Sequence, residues 1–224
     1  MEWNSALTSK AIRVERGGRL ALTAPDFEIS PGQAAVLTGP NGVGKSTLLR
    51  ALAGLLPVAG GDATYGEASL SADREGYGEL VAYAGHLDAV KPALTVADNL
   101  AAWAAIYRAG TDQVSAALKR FTLDHIADAP AAYCSAGQKR RLGLARLLVM
   151  RRPIWLLDEP TVSLDTASTE IFAGMVAAHC AKGGVAVAAT HIDIGLPPGP
   201  RITLTPPKTQ EADEADPFLS EAWA

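Results

Sequence analysis

The chain has only two cysteines in 224 residues, Cys134 and Cys180. They are far apart and neither has metal-like spacing. That rules out a disulfide scaffold and suits a reducing compartment. Long apolar runs are missing too. No stretch approaches the roughly 18 uncharged apolar residues that a membrane span requires, and the opening MEWNSALTSK lacks the apolar core of a signal peptide. There is no excess of basic charge. Twenty Lys and Arg face 24 Asp and Glu, a net of −4, which excludes a global basic field for nucleic acid. These absences predict a cytoplasmic chain whose membrane contact would run through a partner. What the sequence does hold is apolar bulk, 48% of residues, enough for a packed core. The length fits one domain, or one domain with a lobe.

Turn residues and apolar runs divide the chain. Residues 11–16 and 26–30 read as short strands parted by a turn at Gly17 and Gly18. Ala34–Thr38 is a buried strand. Residues 45–55 form a helix with Leu48, Leu49, Leu52 and Leu55 on one face, and glycines from Gly54 to Gly66 punctuate its end. Residues 79–85 are a strand. A helix begins at Thr95, which makes a capping box with Asp98. Further helices cover 112–121 and start at Ser135. Residues 153–159 are a continuous apolar strand, as in a sheet buried on both faces. A helix over 166–181 leads to another buried strand ending at Thr190 and His191. A short strand over 201–205 precedes an acidic tail. The pattern predicts a single α/β domain with a core of 1–94 and 152–205, a helical subdomain of about 95–151 and a loose tail of about 206–224.

Between strand and helix lies GPNGVGKST: Gly39, Pro40, Asn41, Gly42, Val43, Gly44, Lys45, Ser46 and Thr47. It matches the phosphate-loop pattern G-x-x-x-x-G-K-[ST] in the context that pattern requires. Glycines let backbone N–H groups turn inward, and the helix N-terminus adds partial positive charge. Lys45 supplies a point charge to the β- and γ-phosphates of a nucleotide, and the Ser46 hydroxyl suits Mg²⁺. In IWLLDEP, Asp158 and Glu159 follow four apolar residues at the carboxyl end of a strand, where ligands of open α/β sheets collect. Asp158 can serve the metal, and Glu159 can orient or deprotonate an attacking water. CSAGQ, Cys134 to Gln138, opens a second helix N-terminus suited to phosphate. One domain already has its own loop, so this face fits the nucleotide of another copy.

With those residues in order, the chain resembles the nucleotide-binding subunit of an ABC transporter, a P-loop NTPase. GPNGVGKST resembles the Walker A loop, IWLLDE the Walker B strand, CSAGQ the signature, Ser163–Leu164–Asp165 the D-loop, and Thr190–His191 the switch-histidine loop. The resemblance implies a mostly parallel core sheet, an antiparallel β region and an inserted helical subdomain. It also implies a homodimer sandwiching two ATP. Each site would pair the Walker loop of one copy with Ser135, Gly137 and Gln138 of the other. His191 would sense the γ-phosphate, and Asp165 would link the sites.

Two positions depart from the general pattern. His86 stands where the family has glutamine, and Arg16 where an aromatic stacks on adenine; a guanidinium can also stack on a base. The stretches GHLDAVKPALTVADNL and CSAGQKRRLGLARLLVMRRPIWLLDEP are similar to the CcmA family, haem exporter ATPases of cytochrome c maturation. This implies a peripheral protein on the cytoplasmic face of the bacterial inner membrane. Its partners would be an integral membrane subunit resembling CcmB and further maturation proteins. A partner helix would lie near residues 86–99, with Leu87, Leu94, Val96 and Leu100 as candidate anchors. Cys134, in place of the usual signature leucine, reads as a packing residue, and most of the cations between 139 and 152 as a solvated helix face. Another exporter's ATPase and a soluble, non-transport ABC ATPase remain alternatives.

Overall fold

The computed structural model describes residues 3–206. Two sheets form the frame. The first is antiparallel and built around β1 (Leu7–Arg16), which pairs with β2 (Arg19–Thr23), β3 (Phe27–Ile29) and β5 (Gly60–Tyr65); β5 also holds the short β6 (Ala68–Ser69). The second is parallel, in the order β10 (Arg201–Thr203), β4 (Ala34–Thr38), β9 (Val185–Ala189), β8 (Ile154–Asp158), β7 (Val81–Ala84). The fold is therefore the expected α/β arrangement of parallel and antiparallel sheets.

Every residue of β8 and β9 is buried, because the parallel sheet separates two cores. Side chains alternate across a strand, so Trp155 and Leu157 enter one apolar cluster while Ile154 and Leu156 enter the other. The first cluster holds α3 (Val96–Tyr107), α4 (Thr111–Arg120), α5 (Ala136–Met150) and α6 (Thr166–Cys180). The second holds α1 (Lys45–Leu52) and the antiparallel sheet, with α2 (Arg74–Gly78) adding Tyr77. Truncating Leu157, fully buried, would cost about 2–5 kcal/mol in lost contacts and cavity.

Several expectations need correction. Gly17 and Gly18 turn β1 into β2 rather than into β3, a hairpin closed by the Arg16–Arg19 pair. The glycine-rich stretch after α1 contains β5, which pairs along β1. Helix α1 stops at Leu52, and Leu55 lies beyond it, 56% exposed. Only half of the expected box at α3 forms: the Thr95 hydroxyl accepts from the Asp98 N–H. Most of the cations between 139 and 152 keep some exposure, and Arg140 and Arg146 are the buried exceptions. Val96 and Leu100 are core residues and no surface anchors, whereas Leu87 is 81% exposed. The acidic tail lies mostly outside the described residues.

Both cysteines are buried free thiols. Cys134 packs in the helical cluster, as its small apolar character suggests, and burial pushes the Cys180 thiol up to about 11, which leaves it unreactive. No described helix is long and apolar enough to cross a membrane.

Candidate functional site

The phosphate loop joins β4 to α1, and its shape depends on glycine at two close approaches. At Gly39 (φ 145°) a Cβ would lie 2.7 Å from the Leu204 carbonyl oxygen, and at Gly44 (φ 108°) 3.2 Å from the Leu22 side chain. Neither position accepts a side chain without strain. Gly44 caps α1 without any side-chain hydrogen bond, and the first turn holds no acid. The N–H groups there keep their donors and their partial positive charge for an anion. Lys45 is buried, and its ammonium donates to the carbonyls of Gly39 (2.8 Å) and Pro40 (3.1 Å). The cation is thereby held across the mouth of the loop.

Helix α1 packs on β8, which sets Ser46 beside the acidic pair. The Ser46 hydroxyl donates to Asp158 Oδ1 at 2.9 Å. The other oxygen, Oδ2, accepts from the Tyr83 hydroxyl at 3.3 Å, and Arg50 Nε donates to that same hydroxyl at 3.4 Å. Asp158 is 3% exposed, and these donors satisfy a carboxylate that would otherwise be costly to bury. Burial pushes the Tyr83 hydroxyl above its ordinary pKa, so it remains a donor.

Glu159 follows at the strand end with φ 47°, a left-handed conformation that costs a non-glycine residue roughly 1–2 kcal/mol. Its N–H donates to Ala189 O and its carbonyl accepts from Arg140 Nη2 at 2.7 Å. The carboxylate is partly exposed, and Oε1 stands 3.4 Å from His191 Nε2. The pair therefore faces solvent at the end of β8 and β9.

At the second helix N-terminus, the Ser135 hydroxyl accepts from the Gln138 N–H (3.2 Å) and the Gln138 side chain accepts from the Ser135 N–H (2.8 Å). The serine and glutamine of CSAGQ are a reciprocal capping box for α5, a signal present in the S-x-x-Q spacing. Gly137 lets the next loop approach: a Cβ there would lie 3.0 Å from the Ser163 carbonyl oxygen. Two residues on, Asp165 caps α6 through the Ser168 N–H at 2.8 Å. Hydrogen bonds from Ser168 hold its carboxyl below the usual range.

Two predicted residues lie outside these side-chain hydrogen-bond networks among the described residues. His86 is exposed and lines a groove of about 540 Å³ with Arg50, Tyr83, Leu87, Trp103 and Arg146. Arg16 is exposed at the tip of the β1–β2 hairpin, opposite Arg19; the same hairpin brings Leu22 against Gly44. Sequence reasoning missed Tyr83, two residues before the Gly85–His86 step, and Arg140. The strand-end YAGH offered a signal for the first. The second was indistinguishable from its cationic neighbours.

The donor set at Ser46 and Asp158, one hydroxyl and one carboxylate, fits a Mg²⁺ that takes its remaining ligands from phosphate and water. No group of three or more His, Cys, Asp or Glu that could hold a metal ion occurs among the described residues.

A parallel sheet carrying a phosphate loop, an acidic strand end, a capped S-x-x-Q helix and a terminal histidine define the ATP-binding domain of an ABC transporter. The family described as ABC transporter matches residues 22–162. Solved structures of such domains share the fold. An ATP-binding subunit of an ABC transporter superposes with TM-score 0.74 at 23% identity, covering 82% of this chain and 78% of that one. The ADP conformation of the ATP-binding cassette MJ1267 gives TM-score 0.70 at 21% identity, covering 85% and 83%. Among curated relatives, the cytochrome c biogenesis ATP-binding export protein CcmA of Cereibacter sphaeroides is 50% identical over 95% of this chain and 97% of its own length. That of Paracoccus denitrificans is 49% identical over 92% and 91%. The chain belongs to the CcmA family of ABC transporter ATP-binding proteins.

Proposed function

We propose that this chain is the ATP-hydrolysing subunit of an ABC export complex of cytochrome c biogenesis, working on haem or on the release of a haem-loaded chaperone. The observation that supports the hydrolytic reading is a pair of contacts at the end of β8: Ser46, from the start of α1, bonds Asp158, and the next residue, Glu159, stands beside His191. The backbone from Gly39 to Thr47, including Pro40, Asn41, Gly42 and Val43, cradles the phosphates. Lys45 exchanges its loop carbonyls for phosphate oxygens. Ser46 and Asp158 would hold Mg²⁺, which when bound would offset phosphate charge. Glu159 takes the proton of the attacking water as its oxygen bonds to the γ-phosphorus and the bridging bond to ADP breaks. His191, next to Glu159, steadies the γ-phosphate.

Two copies meet face to face in this reading. Ser135, Gly137 and Gln138 of each cover the triphosphate in the other, because the capping box occupies only part of the first-turn donors of α5. Asp165 and its loop, pressed against Gly137, relay between the two sites. Arg16 offers a guanidinium face to the base, and His86 takes the glutamine's place beside the groove. That groove receives a helix of an integral membrane partner resembling CcmB. Its exposed Leu87 and Leu55 supply apolar rims, as helix-in-groove contacts require. The protein then sits peripherally on the cytoplasmic face of the bacterial inner membrane.

The deciding experiment is purification from detergent with MgATP, reading phosphate release and identifying the membrane protein that accompanies the chain. Turnover that collapses in Glu159→Gln, together with a cytochrome-maturation membrane subunit, supports the reading. A membrane subunit of an unrelated exporter overturns the assignment to cytochrome c biogenesis and leaves the ATPase.

A further inference from the structure

Arg140 is 4% exposed, yet each of its five N–H donors has an oxygen partner. Nε donates to Pro160 O at 2.9 Å. Nη1 donates to Gly85 O at 2.9 Å and Asp88 Oδ1 at 2.9 Å. Nη2 donates to Asp158 O at 3.2 Å and Glu159 O at 2.7 Å. A guanidinium offers five donors in a rigid fork, and no other side chain can fill this set: lysine has three and glutamine two. Three of the acceptors are consecutive carbonyls at the end of β8, on Asp158, Glu159 and Pro160. Helix α5, which carries the S-x-x-Q cap at its start, thus grips the turn that carries the hydrolytic carboxylate.

That turn needs a grip. Glu159 is left-handed, and a non-glycine residue keeps such a conformation only where its surroundings enforce it. Arg140 binds its carbonyl, and β9 binds its N–H through Ala189. The far side of the fork is also built for purpose. The Asp88 segment lies so close on α5 that a Cβ at Gly143 would stand 2.8 Å from Asp88 O and 2.9 Å from Asp88 Cβ. Glycine one turn beyond Arg140 is what allows the Asp88 carboxylate to reach the guanidinium.

We propose that Arg140, anchored by Asp88, is a positioning residue for hydrolysis: it holds the Asp158–Pro160 turn so that the Glu159 carboxylate stays beside His191. The proposal rests on the ATPase reading above and concerns turnover after ATP is bound. The Arg140 side chain reaches Asp158 only at its backbone carbonyl, while Ser46 and Tyr83 hold the Asp158 carboxylate, so the loss of Arg140 should act on turnover rather than on ATP affinity. The loop it clamps on the other side, from Gly85 to Asp88, forms a wall of the groove, so one guanidinium spans both places.

The test compares purified full-length variants, with the membrane partner where turnover requires it. Arg140→Gln and Arg140→Lys should lower kcat by about tenfold to a hundredfold, as misplaced catalytic groups do, with KM for ATP within about twofold. Gly143→Ala keeps the guanidinium but displaces Asp88; it should give a smaller fall in kcat with the same unchanged KM. Arg141→Gln is the control: it loses one hydrogen bond, to Phe121 O, on the same helix, and should leave kcat within about twofold. In a Glu159→Gln background, Arg140→Gln should bind ATP with unaltered affinity. Folded Arg140 variants with unaltered kcat overturn the proposal, as does a rise in KM that matches the fall in kcat. If the Arg140 variants do not fold, Gly143→Ala decides by the same split. Failure of the ATPase reading is separate, because there the unmutated chain itself releases no phosphate.

Discussion

His191 Nε2 lies 3.4 Å from Glu159 Oε1, at the ends of two neighbouring parallel strands. The strand register sets this pair, since Asp158 stands opposite Ala189 and each chain then continues by one or two residues. Both side chains are partly exposed, and Glu159 directly follows Asp158, which the Ser46 hydroxyl of α1 reaches; in the proposed reading the attacking water lies beside this pair. Glu159→Gln should therefore bind ATP, trap a closed dimer and lose about 100-fold or more in turnover. Gel filtration with MgATP and a phosphate-release assay check it. A variant that stays monomeric at saturating MgATP with its membrane partner present would remove the dimer from the reading.

The bond between Ser46 and Asp158, 2.9 Å long, makes a prediction about metal. Ser46→Ala should weaken ATP binding in Mg²⁺ by about tenfold or more, with much less effect in excess chelator. Isothermal titration in both buffers distinguishes the cases, and equal losses in both would dissociate Ser46 from the ion.

Gly39 is confined by the Leu204 carbonyl. Gly39→Ala adds one carbon, which must displace either the loop or the exit of β10 while adopting a φ that L-residues avoid. ATP affinity should fall by about tenfold, and the melting temperature should drop as well. A wild-type isotherm would show that the loop tolerates the shift.

His179 is sandwiched between Trp155 at 3.9 Å and Trp3 at 5.1 Å, with Nε2 hydrogen-bonded to the carbonyls of Pro153 and Val185. Burial lowers its pKa to about 4. The unfolded chain takes up this proton at higher pH than the folded one, so stability falls as pH drops through the window from about 6.5 to about 4. The loss between about pH 7.5 and pH 5 is of order 2 kcal/mol. Urea unfolding at the two pH values should show it, and His179→Gln should flatten this part of the profile. An equal pH dependence in the variant would assign the effect to other groups.

The parts of the site written in local sequence were legible. Ala34–Thr38 and the loop after it combine an apolar strand, fixed glycines and a helix start, and all three signals agree. Asp158 and Glu159 announced themselves because four apolar residues precede them. What stayed hidden was carried by contacts distant in sequence. Tyr83 reaches Asp158 across 75 positions, and no spacing rule connects them. Arg140 sits among cations that look alike on a helical wheel; only the fold tells the buried fork from its solvated neighbours. Strand β5 was hidden for a different reason. Its Gly60 and Gly61 read as turn residues, and its pairing along β1 overrides that local preference.

Lys45 meets the carbonyls of Gly39 and Pro40 with its ammonium, which bears on how the cradle lets go as well as how it takes hold. A departing phosphate leaves no stranded cation, because two oxygens of the loop itself receive it. If ATP binds as proposed, nucleotide exchange becomes a swap of partners for one buried charge.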